Sequence, residues 1–290
     1  MKPAAFSYYR PRSLDEAIAL LVEHGFDAKV IAGGQSLAPM MNMRFAQPMH
    51  LVDLNGIAGL DGVRREQGAL RVGALTRHHT LATDPLVAHA CPLLAEVAAT
   101  IGHYAIRQRG TLGGSLAHAD PAAQLPLVAR TLDARIDVVG PGGAREIAAA
   151  DFVLAAMSTT LDADEIVTAV SFPCARAGEG HAFELFCRRH GDFAIAACAV
   201  TVSVSDGHFD ALRLGVGGVA DVPLALDEVA AGFVGARADA AVVARIAASV
   251  AASVEPVPQP GIPAAYRLEL VEALSARALA RAIRRALNEV

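Results

Sequence analysis

The opening of the chain carries short apolar patches of helical spacing and then of strand spacing. Leu14, Ile18, Leu21 and Val22 fall on one face of a helix. Ser13 and Glu16 stand before that face as a capping box, and Gly25 occupies the usual C-cap place. Ala28 to Ile31 reads as a short buried strand that runs straight into Ala32-Gly33-Gly34-Gln35-Ser36. His50 to Leu54, after a Met-rich segment, reads as a second strand. This β-α-β order predicts a small α/β unit. Further on, Val63–Arg65 and Ala69–Gly73 flank Gln67-Gly68 as a hairpin. Helices are predicted at Thr76–Leu81, Pro92–Ile101 and Ala122–Thr131, the last after a glycine-rich loop at Thr111–Ser115. Strands are predicted at Arg135–Val139 and Glu165–Phe172, around a turn at Pro141-Gly142-Gly143.

The texture changes after Phe172. The segment from Phe172-Pro173 to Gly180 is rich in Pro, Gly and small residues and reads as a linker. Long alternating strands follow at Ala194–Ser205 and Phe209–Val216, antiparallel neighbours joined at Asp206-Gly207. The last third is helical. Tyr266, Leu270, Leu274, Ile283 and Leu287 are spaced for one face, with Arg277, Arg281 and Arg285 on others. The pattern divides the chain into residues 1–176, in lobes of about 1–56 and 57–176, and residues 177–290.

Composition narrows the function. The 290 residues are 53% hydrophobic and 19% charged, a globular balance with length enough for two domains. A net charge of −5 argues against a general nucleic-acid binder, which needs a basic surface. Absence of Trp and 5% aromatics argue against base-stacking platforms. No apolar run reaches the roughly 20 residues of a membrane span. Met1 to Arg10 has no apolar signal core, so a cytoplasmic protein is expected. Cys91, Cys174, Cys187 and Cys198 are scattered without a C-x-x-C pair, a spacing unsuited to a zinc site or an iron–sulfur cluster.

Two segments carry chemistry: Ile31-Ala32-Gly33-Gly34-Gln35-Ser36-Leu37, and Gly110-Thr111-Leu112-Gly113-Gly114-Ser115 with Leu116-Ala117-His118-Ala119-Asp120-Pro121 behind it. Each sets a Gly pair beside a short hydroxyl residue. Gly lets a ligand approach the main chain, and successive N–H groups in such turns form a concave anion site. Ser36, Thr111 and Ser115 add hydroxyl donors. One such loop is as well explained by a tight turn. Two together suit a long phosphate ligand such as a dinucleotide. No G-x-x-x-x-G-K-[ST] occurs. Gly215-Val216-Gly217-Gly218-Val219-Ala220 lacks the third glycine of a Rossmann fingerprint and reads as a bend after a strand. His78-His79 looks like a metal pair, but adjacent residues do not share a helix face, so a solvated helix start is expected.

The two glycine loops, with Ala117-His118-Ala119-Asp120-Pro121, closely resemble the FAD-binding medium subunit of molybdenum hydroxylases, the carbon monoxide dehydrogenase and xanthine dehydrogenase relatives. The resemblance runs from Phe6-Ser7-Tyr8 through Arg189-His190-Gly191-Asp192 to Gly215–Ala220, nearly the whole chain. It implies an α+β fold: a two-lobed FAD-binding domain of the PCMH, vanillyl-alcohol-oxidase-like type, then a small antiparallel sheet with helices. It implies that Ala32, Gly33, Gly34, Gln35, Ser36 and Leu37 grip the FAD pyrophosphate opposite Gly110, Thr111, Gly113, Gly114 and Ser115. Lys29, Val30 and Ile31 lead into the same cleft. Ile101 is placed by the flavin, Gln124 near the ribityl chain, Leu161 at the isoalloxazine edge and Phe193 over the ring. Core roles for Ile101 and Phe193 stay open. Ala117 and Asp120 lie just past the second loop, and Leu185 is on the strand beside the flavin. His118 and Asp120 read as loop-shaping or flavin-adjacent groups. Relatives often have a lysine near Glu184 or Leu185; here there is none, and Arg188 or Arg189 is the candidate replacement.

The function so implied is electron transfer. Substrate is oxidised at a molybdenum cofactor on a large subunit, electrons pass through two [2Fe–2S] clusters on a small subunit, and FAD on this chain relays them to an external acceptor. A dimer of heterotrimers is the larger assembly. No side chain is assigned to catalysis or to a metal. A stand-alone flavin oxidase or reductase of the same fold, and a binding protein that has lost FAD, remain as alternatives.

Overall fold

The computed structural model describes residues 1–288 and builds three principal sheets. The first lobe comprises β1 (Ser7–Tyr9), α1 (Leu14–His24), β2 (Ala28–Ile31), α2 (Leu37–Asn42) and β3 (His50–Asp53). Its sheet is parallel, in the order β1-β3-β2, with Ser7 and Ala28 both in register with His50. The Ser13 hydroxyl accepts from Glu16 N at 3.1 Å, and the Glu16 carboxylate accepts from Arg12 N at 2.8 Å. Gly25 closes the helix at φ 54°. The buried face is Ala17, Ile18 and Leu21; Val22, expected on it, is exposed. Val22 lies about a quarter-turn off the stripe centred on those three residues. The three-residue β1 is too short to show a period of two and goes unmarked in the sequence pattern.

The second lobe runs through β4 (Val63–Glu66), β5 (Ala69–Gly73), α3 (His78–Thr83), α4 (Pro85–Ala90), α5 (Pro92–Thr100), α6 (Tyr104–Arg107), α7 (Leu112–His118) and α8 (Gln124–Thr131). It continues with β6 (Arg135–Gly140), β7 (Gly143–Ala148), α9 (Ala149–Phe152), β8 (Val153–Ala155), β9 (Ser158–Thr159) and β10 (Ile166–Pro173). The five-stranded antiparallel sheet has the order β4-β5-β10-β6-β7, so the last strand inserts between the two hairpins. Gln67 (φ 50°) and Gly68 (φ 81°) make the first turn, in the sense that matches strand twist. Leu70, Val72, Leu81, Leu94, Leu116, Leu125, Phe152 and Phe172 fill the core between sheet and helices. The segment Thr111–Ser115, expected as a loop, is the N-cap and first turn of α7.

The remainder is β11 (Gly180–Phe186), β12 (Ala196–Ser205), β13 (His208–Gly217), β14 (Leu224–Ala225), α10 (Asp227–Ala231), α11 (Ala240–Ala252) and α12 (Ala264–Ala286). Its antiparallel sheet, β11-β12-β13-β14, turns at Asp206-Gly207 as the pattern predicts. The glycines of the near-Rossmann stretch serve packing: a methyl group at Gly215 would lie 1.9 Å from Thr131 Oγ1 of α8. The stripe expected on α12 is rotated. Arg267, Val271, Leu274, Ser275, Ala278, Leu279, Ala282, Ile283 and Ala286 are buried, whereas Tyr266 and Leu287 are exposed. Close approach is the cause, since a methyl at Gly180 would lie 1.9 Å from Ala282 O, so small residues face the sheet. The architecture is α+β, with mixed helix and sheet in all three parts.

Candidate cofactor-binding site

The two glycine segments meet edge to edge between the lobes. A methyl group on Gly33 would lie 2.2 Å from Arg109 O and 2.8 Å from Gly110 Cα. One on Gly114 would lie 3.6 Å from Ala32 Cβ. Ala32 to Leu37 are half-buried along the way from β2 into α2, as are Val30 and Ile31, while Lys29 is exposed.

Their backbone donors are disposed differently. In the first segment the amides of Gly33, Gly34, Gln35 and Ser36 have no acceptor among the described residues. Gly34 holds φ 69°, and the Gln35 carboxamide donates to Gly33 O at 2.9 Å, fixing the curl. Four successive free N–H groups make a concave site suited to a phosphate anion. In the second segment the donors are already used. Leu112 N donates to Thr76 O (3.1 Å), Gly113 N to Ala74 O (2.8 Å), and Gly114 N to the Thr111 hydroxyl (3.1 Å). Thr111 and Gly113 are buried, and Gly114 and Ser115 alone of the pair-bearing turn reach partial exposure. The second segment is therefore a rigid wall carrying the Ser115 hydroxyl, and the first is the donor cradle.

His78 holds that wall from beneath. It is buried, contrary to the solvated helix start expected for it, because Gly110 packs flat on its ring: a methyl there would lie 2.8 Å from Nδ1. Its Nε2 is 2.9 Å from Thr111 O and donates to it. Burial lowers its pKa to about 4, with the Arg107 and Arg77 charges adding to the effect, so the ring is neutral. His79 points elsewhere, edge-on to Tyr104.

A polar chain that sequence reasoning missed links the segments. Asn55 Nδ2 donates to Ala32 O at 2.8 Å. Arg77 Nη2 donates to Asn55 Oδ1 and Arg77 Nη1 to Arg109 O, both at 2.6 Å. Asp53 accepts from Asn55 N at 2.9 Å and from the Tyr8 hydroxyl of β1. Burial would raise the Asp53 pKa, but the hydrogen bonds from Tyr8 and Asn55 outweigh it and lower the value. The one available signal was the Asp53-x-Asn55 spacing after a strand, which is the pattern of an Asx turn.

Other expected residues lie around this junction. Ile101 ends α5 half-buried against the core, and Arg107 donates to the Ile101 and Gly102 carbonyls. Gly191 of the Cys187–Phe193 turn packs on His103, where a methyl would lie 2.5 Å from Cε1. That contact packs the turn between β11 and β12 on the N-cap of α6. Phe193 is 65% exposed beside it. Leu185 on β11 and Leu161 are half-buried on the second lobe's core. Ala117 is exposed. Asp120 accepts from Ala122 N at 2.8 Å, shaping its loop. Gln124 is buried and accepts from the Thr100 hydroxyl at 2.5 Å. Glu184, near the absent lysine, pairs with Arg277 at 2.8 Å and Arg281 at 2.9 Å.

Two lobes that set a free-amide cradle against a glycine wall form a site suited to the pyrophosphate of a dinucleotide. A family model described as the FAD binding domain in molybdopterin dehydrogenase matches residues 4–175, and one described as the CO dehydrogenase flavoprotein C-terminal domain matches residues 181–282. The chain is 37% identical to the 6-hydroxypseudooxynicotine dehydrogenase complex subunit alpha of Paenarthrobacter nicotinovorans, over 99% of this chain and 97% of that one. It is also 37% identical to the carbon monoxide dehydrogenase medium chain of Afipia carboxidovorans, over 99% and 100%. A solved structure of carbon monoxide dehydrogenase from Hydrogenophaga pseudoflava superposes with a TM-score of 0.95 at 37% identity, covering 98% of this chain and 99% of that chain. The chain belongs to the family of FAD-binding medium subunits of molybdenum hydroxylases.

Proposed function

We propose that this chain is the electron-relaying subunit of a heteromeric molybdenum hydroxylase, receiving electrons from [2Fe–2S] clusters on a small partner subunit and passing them to an external acceptor. The large partner subunit carries the molybdenum cofactor and the organic substrate. The observation that carries this reading is the four-amide cradle facing a glycine wall, in a chain of the FAD-binding medium-subunit family.

FAD bound there supplies the redox chemistry, and the protein supplies position and electrostatics. The amides of Gly33, Gly34, Gln35 and Ser36 donate to pyrophosphate oxygens, joined by the Ser36 and Ser115 hydroxyls. Lys29, Val30, Ile31, Ala32 and Leu37 frame the cradle; Gly110, Thr111, Gly113 and Gly114 form its opposing wall. Ala117 and Asp120 line the approach beyond it, with buried Gln124 behind them. Ile101, Leu161 and Leu185 offer apolar surface to the ring system, and exposed Phe193 shields it. Residues 1–176 form the FAD-binding domain in two lobes and residues 177–290 the second domain.

The test uses the full chain with and without its partners. Alone, it should hold FAD, with absorption bands near about 370 and 450 nm, and oxidise no substrate of the complex. Substrate-dependent bleaching of those bands should need both partners together. Turnover of an organic substrate by the isolated chain would replace this reading with a stand-alone flavoenzyme.

A further inference from the structure

Asn55 and Arg77 lie outside both glycine segments, yet their bonds run to a carbonyl within the first, Ala32 O from Asn55, and to the carbonyl that immediately precedes the second, Arg109 O from Arg77, closed by the 2.6 Å bond between the two side chains. We propose that Asn55 and Arg77 are positioning residues that clamp the two lobes at the spacing where both segments can hold one pyrophosphate. The proposal rests on the FAD reading above.

Three physical arguments support it. First, the Ala32 carbonyl shares a rigid peptide plane with Gly33 N–H, the first of the four free donors. Holding that oxygen aims that donor, and a hydrogen bond at the oxygen polarises the N–H. Second, the clamp joins different lobes. Asn55 follows β3 of the first sheet and Arg77 precedes α3 of the second. A ligand gripped by both segments binds more tightly when their separation is set beforehand. Third, the guanidinium fork reaches two acceptors in one plane, which a lysine ammonium on a flexible stem does not reproduce.

The full-length chain stripped of flavin should be titrated with FAD, reading flavin fluorescence, as wild type, Asn55→Ala, Arg77→Lys and the double variant. A cavity of about 230 Å³ lined by Asn55, Asp61, Thr76, Arg77 and Thr80 gives water room to replace the deleted groups, so the variants should fold. Each single variant should raise the FAD dissociation constant at least about tenfold, with faster release. The double variant should be no weaker than the weaker single, because either break opens the same link. The flavin-free proteins should unfold at nearly the wild-type temperature. Unchanged affinity in both singles overturns the clamp. So does an affinity loss that tracks lost stability and adds up in the double variant, or failure of both singles to fold. A wild-type chain that takes up no FAD overturns the FAD reading instead.

Discussion

At Gly33 the main chain comes closer to its neighbour than any side chain permits, and the neighbour is protein. The sequence pattern attributes such a glycine to ligand approach, whereas here the Arg109 carbonyl fills the space. Gly33→Ala should therefore push the two segments apart, costing about 1–3 kcal/mol of stability and most of the bound FAD. Gly34→Ala is the informative comparison. Its φ of 69° is strained for alanine, but its nearest neighbour is the end of the Ile31 side chain at 3.2 Å, which can yield. Its effect on flavin content should be the smaller of the two. Flavin absorbance per chain and thermal unfolding check both, and equal flavin retention by the Gly33 variant would mean the segments do not share a ligand. His78 teaches the same lesson in reverse: helix spacing separates it from His79, but its burial is set by Gly110, distant in sequence.

At the scale of elements, one charged knot ties α5 to the C-terminal sheet and α12. Glu96 accepts from Arg281 and Arg285, each at 2.5 Å, with His181 at 3.4 Å. Arg281 and Arg285, expected on other faces of the last helix than the apolar one, thus reach back to the FAD-binding half. Burial alone would raise the Glu96 pKa, but hydrogen bonds from His181 and Arg285 and the charges of Arg281 and Arg285 hold it at about 2, below the 4.5 of an ordinary glutamate. The folded state binds this proton less readily than the unfolded one. Its contribution is complete above pH 4.5 and is lost as pH falls from 4.5 towards 2. Glu96→Gln should destabilise the chain at pH 7 by on the order of 1 kcal/mol, since half-buried Arg281 is left with Glu184 alone and exposed Arg285 loses its carboxylate partner. The gap to wild type in urea midpoint should narrow across that acid range. A gap that is constant with pH would show that shape rather than charge holds the junction.

For the whole molecule, the attachment of the flavin is the measurable consequence. Neither 32–37 nor 110–115 contains His or Cys, the residues suited to a covalent flavin link. Acid or heat precipitation should release FAD into the supernatant, and flavin remaining on the pelleted chain would contradict the assignment. Among the described residues, no helix is long and apolar enough to cross a membrane.

Local sequence determined what local physics governs. The Ser13–Glu16 cap, the Gln67-Gly68 and Asp206-Gly207 turns and the period-two strands each follow from interactions within a few residues. The glycine segments were legible as a motif because a nucleotide site needs small residues at close spacing. Tertiary structure decided the rest. Whether the amides of a glycine segment are free or spent depends on carbonyls from Ala74 and Thr76, outside that segment. Which stripe of α12 is buried depends on how closely Gly180 lets a strand approach. The bonds from Asn55 and Arg77 join residues 22–32 positions apart, beyond the reach of helix or strand periodicity. The bond between Asn55 and Arg77 is fixed only where the two lobes meet.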